Sequence, residues 1–239
     1  MDAADRVTYT LDNEVAIITL NSGENRFNND FLEAFLGVLD EIESKTDART
    51  LVVTSAHEKI FSNGIDLEWL TPFISAGDFD NVKKFLYLQN DLFKRLVTSP
   101  MIAIAAISGH AFAGGAILSC AFDFRLMRSD RGYFCFPEVD LGIPFLPGML
   151  ELLKSSIPLY KMNEMQYLGI RLTAEECEKH HIVTRACHQD ILMDETMKFA
   201  RQFNKDRKTV GEMKQRMNRH IVHALEKEDA PYIEKARLV

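Results

Sequence analysis

Apolar residues alternate with polar ones at Val7, Tyr9 and Leu11. They do so again from Val15 through Ile17 and Ile18 to Leu20, with Asp12-Asn13 between the two runs. A period of two turns one face of an extended chain toward a core, so the pattern predicts a strand hairpin. A loop over 21–29 follows. From Asp30 the period lengthens: Phe31, Phe35, Val38, Leu39 and Ile42 recur at the spacing of one helical face, and Asn29 stands where a cap would be. Thr50 to Ser55 predicts a buried strand, 57–70 a loop entering a short helix, and 79–97 a longer helix. The inner face of that helix carries Val82, Phe85, Leu86, Gln89, Phe93 and Leu96, and Pro100 ends it. Met101 to Ile107 and Phe124 to Met127 are short apolar runs, which suit strands covered on both sides.

Strand and helix therefore alternate through the first half, which predicts an α/β fold with right-handed crossovers and ligands at the strand ends. After Pro147 the pattern turns helical. Thr173-Ala174-Glu175-Glu176 has the spacing of a capping box, and helices mixing polar and apolar residues run from Asp190 onward. The expected division is a core over 1–183 and a C-terminal helical region over 184–239. No internal repeat or low-complexity linker interrupts the chain.

Composition narrows the class. With 239 residues, 46% hydrophobic and 26% charged, the chain is long enough for one large core, and disorder or a collagen-like repeat is excluded. A formal net charge of -7 argues against a nucleic-acid partner, because gripping a phosphate backbone relies on Lys and Arg. Cys120, Cys135, Cys177 and Cys187 show no metal-site spacing and read as buried free thiols, so no metal is expected. The start, Met1 to Arg6, lacks a basic segment followed by an apolar run, and no stretch approaches the ~20 apolar residues of a membrane span. No membrane association is expected. The ending Arg237-Leu238-Val239 differs from the Ser-Lys-Leu address. The compartment expected is cytoplasmic, with peroxisome and mitochondrion left open.

The candidate chemistry lies in two glycine-bearing turns, each after a buried strand. One is Phe61-Ser62-Asn63-Gly64-Ile65-Asp66-Leu67; the other is Gly109-His110-Ala111-Phe112-Ala113-Gly114-Gly115, which opens a helix. Main-chain N–H groups at a helix start point at an incoming oxygen that carries or develops negative charge. Two adjacent strand ends can each offer one such donor to the same oxygen. Taken alone, Ser-x-Gly-x-Asp reads equally as a structural turn with an Asp cap. A carboxylate near the donors, Glu138 in Pro137-Glu138-Val139-Asp140-Leu141-Gly142, completes the minimum for moving a proton beside a carbonyl. Its neighbours Phe136, Val139 and Leu141 are expected to disfavour the charged form and raise its pKa. Asp140 reads as a cap or ion-pair partner and His110 as making a loop-stabilising hydrogen bond rather than acting in catalysis. The aromatic stripe Phe73, Phe79, Phe85 and Phe93 reads mostly as core.

On these three motifs, in this order and spacing, the chain resembles the enoyl-CoA hydratase/isomerase (crotonase) superfamily from about Val7 to Val183. The resemblance implies a crotonase-like spiral of ββα turns, assembly as a homotrimer or a hexamer through the C-terminal helices, and an acyl-CoA substrate. Coenzyme A is then part of the substrate and no separate cofactor is needed. The thioester oxygen is held by the N–H groups of Ile65 and Gly114, and Ser62, Asn63, Gly64, Asp66 and Leu67 form the loop against the substrate. Arg26 and Lys59 either meet the adenine and phosphates of coenzyme A or remain solvated surface charge. Hydratases of the family carry a second glutamate three residues beyond the second oxyanion glycine, and here that place is Ile117, implied to face the acyl chain. A lone glutamate is similar to the Δ3,Δ2-enoyl-CoA isomerases, those of plant peroxisomes above all, in which one carboxylate moves a proton from C2 to C4. Dienoyl isomerases expect a further acid eight residues past the glutamate, where this chain has Leu146. Phe145, Leu146 and Met149 are candidates for the tail pocket. Hydration, hydrolysis, a dienoyl shift and silent acyl-CoA binding are the rival readings.

Overall fold

The two alternating runs pair as their pattern predicts: β1 (Val7–Asp12) lies antiparallel to β2 (Val15–Leu20), and Asn13, with φ at 55°, makes the tight turn. The computed structural model describes residues 6–235; the readings placed on Met1 to Asp5 and on Arg237 to Val239 fall outside them. The expected loop over 21–29 contains a two-residue strand, β3 (Arg26–Phe27). Helix α1 (Asn29–Lys45) is capped by Asn28, not Asn29. Asn28 has the extended backbone a cap needs, and its Oδ1 accepts the Phe31 N–H at 3.0 Å, whereas Asn29 is already helical.

Each later turn of chain sends one strand to a large sheet and the next to a small one. β4 (Thr50–Ser55) is followed by β5 (Ile60–Ser62), the short β6 (Gly64–Ile65), α2 (Leu67–Ala76) and α3 (Phe79–Thr98). β7 (Ile102–Ile107) is followed by β8 (His110–Phe112) and α4 (Gly114–Cys120). β9 (Phe124–Arg128) is followed by β10 (Phe134–Cys135), the single turn α5 (Glu138–Leu141), α6 (Pro147–Ser156) and α7 (Leu159–Leu168). β11 (Arg171–Leu172), α8 (Ala174–Lys179) and β12 (Arg185–Cys187) complete the sheets. The large sheet runs β1-β2-β4-β7-β9-β12, the small one β11-β10-β8-β5, and β3 pairs with β6. This is the α/β alternation that the pattern predicts, laid out in the spiral of ββα turns that the resemblance implies. The capping box opening α8 is complete: Thr173 Oγ1 accepts the Glu176 N–H at 3.3 Å, and Glu176 Oε2 accepts the Thr173 N–H at 2.8 Å.

The chain beyond 183 does more than form a helical appendage. β12 pairs with β9, and α9 (Gln189–Ala200) packs Leu192, Met197 and Ala200 on the back of the large sheet against Val52, Ile104 and Leu126. α10 (Arg207–Met217), α11 (Arg219–His223), a π-helical turn (Ala224–Glu228) and α12 (Ala230–Glu234) then return along α3 and α6. Among the described residues no helix is long and apolar enough to cross a membrane.

The small sheet positions the site. β5 and β8 run parallel, so the two glycine turns leave from neighbouring strand ends. The chains cross there with no room for side chains. A Cβ on Gly64, whose φ is +73°, would lie 2.3 Å from the Gly114 nitrogen, and one on Gly115 would lie 2.2 Å from the Ser62 carbonyl oxygen. The obstacle in both cases is main chain, which cannot step aside. Gly115→Ala is expected to cost about 3 kcal/mol or more in urea unfolding. Gly37→Ala, on the exposed side of α1 with nothing within 4 Å of its Cβ, should stabilise by roughly 0.5–1 kcal/mol.

Candidate active site

The first turn is fixed from inside. Asn25, in the left-handed region at φ 51°, is fully buried and donates from Nδ2 to the Phe61 carbonyl at 2.9 Å and to Ser55 Oγ at 2.8 Å. Ser62 Oγ donates to the Asn25 carbonyl at 2.7 Å and accepts the Gly64 N–H at 3.1 Å. Ser62 is therefore a buried strut that shapes the turn, which corrects its expected place on the substrate. Asp66, half-buried, bonds within its own turn: its N–H donates to the Phe27 carbonyl at 2.9 Å, and its Oδ1 accepts the Trp69 N–H at 3.2 Å to cap α2. The Asp-cap reading of that motif is the one the geometry follows. Asn63 Nδ2 donates to Glu24 Oε2 at 3.0 Å, while Leu67 stands 40% exposed at the start of α2.

The second turn bends through Ala113, at φ 49° and ψ -127°. For a residue with a Cβ this is a costly conformation, on the order of 1–3 kcal/mol, and it persists only where the surroundings impose it. Here they do: the Ala113 N–H donates to the Cys135 carbonyl at 3.0 Å, and the Ala113 carbonyl takes the N–H groups of Ala116 and Ile117. No side chain caps α4, whose opening N–H is that of Gly114. A Cβ on Gly114 would lie 3.4 Å from the Ile65 nitrogen, so the two main-chain groups named for oxygen binding are neighbours. Nothing in the sequence around Ala113 marks it; glycine would be the expected residue at such a φ.

Glu138 reaches the same corner along the third strand. β10 runs parallel to β8 with Cys135 opposite Phe112, so Gly114 and Glu138 each follow within three residues of paired strand ends. Glu138 is 7% exposed, and its Oε2 has no hydrogen-bond partner among the described residues. Burial pushes its pKa up to about 7, opposed in part by a bond from its own main chain. The cause differs in detail from the expectation. Val139 and Leu141 are 45% and 52% exposed, because Pro137 starts a helical turn and directs them outward. Of the three expected neighbours only Phe136 is fully buried, packed edge-on against Phe145 at 5.8 Å. Asp140, on the same turn, faces Gly169, where a Cβ would lie 2.5 Å from its Oδ2.

The other named residues divide. Ile117 is 2% exposed within the main core. Arg26 is paired with Glu24 at 2.7 Å and lies 3.9 Å from Glu68. With Ser22, Asn28 and Asp66 these residues line a surface cavity of about 250 Å³, in which three carboxylates face one guanidinium. Lys59 is exposed, its carbonyl accepting the His110 N–H at 2.9 Å. The expected stabilising bond from the His110 ring is absent: Nδ1 is buried without a partner among the described residues. The ring lies between Phe112 and Tyr133, and burial with Arg171 and Arg131 nearby holds its pKa below the usual value. All four cysteines are free and buried, with Cys120 pushed up to about 12 and Cys135 to about 11, so neither supplies a thiolate near neutral pH. Of the aromatic stripe, Phe85 and Phe93 are core and Phe79 is 46% exposed. Leu146, where a dienoyl isomerase expects its acid, is buried at the cap of α6.

Residues 10–235 match the family model described as enoyl-CoA hydratase/isomerase. Among curated proteins, the chain is 32% identical over 181 residues to the peroxisomal enoyl-CoA delta isomerase 2 of Arabidopsis thaliana, covering 73% of this chain and 74% of that one. It is 33% identical over 177 residues to a carnitinyl-CoA dehydratase of Salmonella enteritidis, covering 71% of this chain and 61% of the relative. Among solved structures, an enoyl-CoA hydratase/isomerase family protein from Pseudomonas syringae superposes with a TM-score of 0.89 over 100% of both chains at 22% identity, a likeness of fold.

The raised pKa of Glu138 has a consequence for stability. Unfolded, this carboxyl ionises near 4.5; folded, it holds its proton to about pH 7. The stabilisation is fully present below about pH 4.5, declines above it, and is lost once pH passes about 7. Glu138→Gln should therefore match the parent in urea unfolding at pH 4.5 and exceed it by up to about 3 kcal/mol at pH 8.

Proposed function

The chain belongs to the enoyl-CoA hydratase/isomerase family, and from that premise we propose that it shifts the double bond of a 3-enoyl-CoA to the 2 position, with Glu138 as the only acid–base group. The observation that carries this reading is the buried Glu138 carboxylate, with one oxygen unpartnered among the described residues and a pKa near 7; by the resemblance, Ile117 takes the place of the hydratases' second glutamate. Activating water for addition at C3 calls for a second positioned base, which a buried isoleucine does not provide.

In the proposed reaction the thioester oxygen accepts from the N–H groups of Ile65 and Gly114. Glu138 removes a proton from C2, and the freed electron pair delocalises toward that oxygen as a dienolate, where the two donors stabilise the growing charge. The neutral Glu138 then returns its proton to C4. The oxygen's electrons re-form the carbonyl, the C1–C2 pair moves to C2–C3, and the C3–C4 pair takes the proton. A carboxyl with a pKa near 7 serves both halves, accepting and releasing at comparable cost. Such an isomerase suits an auxiliary step in the β-oxidation of unsaturated acyl chains.

We also propose a homotrimer, single or doubled. The C-terminal helices expose Met213, Met217 and Tyr232, and α5 and α7, which pack on each other, expose Val139, Leu141, Leu159, Tyr160, Tyr167 and Leu168. So large an apolar display needs cover. Sedimentation should give a trimer or hexamer; a monomer at every concentration would contradict it.

Purified protein should convert 3-enoyl-CoA faster than it hydrates 2-enoyl-CoA, with kcat/KM falling below about pH 7 as Glu138 protonates. Glu138→Gln should lower turnover by ~10²–10⁴ while leaving acyl-CoA binding in place. Hydration exceeding isomerisation, or an active Glu138→Gln variant, would overturn the reading.

A further inference from the structure

Helix α4, which opens on the Gly114 N–H, is only seven residues long, and every one of them is buried. In so short a helix most main-chain groups at the two ends lack a partner within it. The ends are treated differently. No side chain caps the N–H end. At the carbonyl end, Ser156 Oγ donates to the Cys120 carbonyl at 2.7 Å, and Arg125, from β9, donates from Nη1 to the carbonyls of Ser119 at 3.2 Å and Phe122 at 2.7 Å. Its Nε donates to the Ile182 carbonyl at 2.7 Å, ahead of β12.

Arg125 is 8% exposed, and among the described residues it forms no ion pair; its side chain ends on neutral carbonyls alone. Asp123, two residues earlier, is already held by Lys214 Nζ at 2.7 Å and by the Ala103 N–H at 2.7 Å. Burial pulls the Arg125 pKa below the usual value, yet a guanidinium keeps its proton at any working pH. A buried cation without a carboxylate is costly. Ser156 shows that a neutral side chain can serve this helix end, so the charge calls for a reason.

We propose that Arg125 is a positioning residue for the substrate's thioester oxygen: its charge, fixed on the carbonyl end of α4, acts along that helix to favour the dienolate at the Gly114 N–H. This rests on the enoyl-CoA reading above. Seven residues of helix rise ~10 Å, so the cation lies about that far behind the donor. The carbonyls it touches carry the negative end of the helix dipole, which it neutralises, leaving the positive end facing the oxygen. Because all of α4 is buried, little solvent screens one end from the other. At an effective dielectric of ~20, a unit charge ~10–12 Å from an oxygen gaining a full charge is worth about tenfold in rate. The neutral ground-state thioester gains far less, so the effect belongs to kcat.

The test compares the parent with Arg125→Met, which is neutral, Arg125→Lys, which keeps a charge but not the fork, and Ser156→Ala, which removes a neutral donor from the same helix end. Turnover of 3-enoyl-CoA is measured per folded site. The thioester carbonyl stretch of a bound saturated acyl-CoA, isotopically labelled at C1, is read by infrared difference spectroscopy. In Arg125→Met kcat should fall about tenfold with KM within about twofold of the parent's, and the carbonyl band should move to higher frequency. Arg125→Lys should recover most of the kcat and of the band position; Ser156→Ala should keep both while melting at a lower temperature. If Arg125→Met does not fold, Arg125→Gln, neutral but with an N–H to donate, is read in the same way. A neutral variant with the parent's kcat and band, or an Arg125→Lys variant as impaired as the neutral one, overturns the inference while the proposed reaction stands. If the parent itself turns over no 3-enoyl-CoA, the enoyl-CoA reading fails and takes this inference with it.

Discussion

Three consecutive strands of the small sheet, β5, β8 and β10, must end side by side and pointing the same way; the rest of the site follows from that constraint. Their extensions deliver Ile65, Gly114 and Glu138 to one corner. The approach is tolerated only because Gly64, Gly114 and Gly115 place nothing between crossing main chains. The large sheet supplies the rigid floor. Because each turn of chain contributes one strand to each sheet, the register of the large sheet fixes the spacing of the small one.

The corner is held against local preference. Ala113 sits in a backbone region that a side chain disfavours, and Glu138 buries an oxygen without a partner among the described residues. Both depart from what would make the chain most stable, and both involve groups that the proposed chemistry uses. Glu138 is costly in the folded protein because the charged form is desolvated, and the same desolvation brings its pKa near neutrality. Strain and unmet hydrogen bonding coincide where function is proposed, while the Ser62 hydroxyl, which shapes the first turn, both donates and accepts.

Long elements were legible because their periods extend over several residues. The β1–β2 hairpin, α1, β4, α3 and the capped α8 follow from spacing alone. The strands that build the corner were not, since β3, β6 and β10 have two residues each and β8 has three, too few to show a period. The turn after Pro137 reads equally as extended or helical, and the side chains of Val139 and Leu141 were accordingly turned the wrong way. Asn28 and Asn29 are both capping residues, and only the backbone angles separate them. Residue types pointed to Glu138 and to the two glycine turns. They could not separate side chains that shape a turn, such as Ser62, from ones that face a ligand, because hydrogen-bond partners distant in sequence decide that. Ala113 carries no local signal and is marked only by its backbone.

The central claim is that one shielded carboxylate takes a proton from one carbon of the substrate and returns it to another. Turnover of a 3-enoyl-CoA carrying deuterium at C2, in ordinary water, tests it most directly by locating the label in the product. Retention of deuterium at C4 in a substantial fraction of early turnovers is the predicted result, because Glu138, 7% exposed, is shielded from water between the two transfers. Product labelled at C2 alone, with every C4 hydrogen drawn from water, would contradict the account.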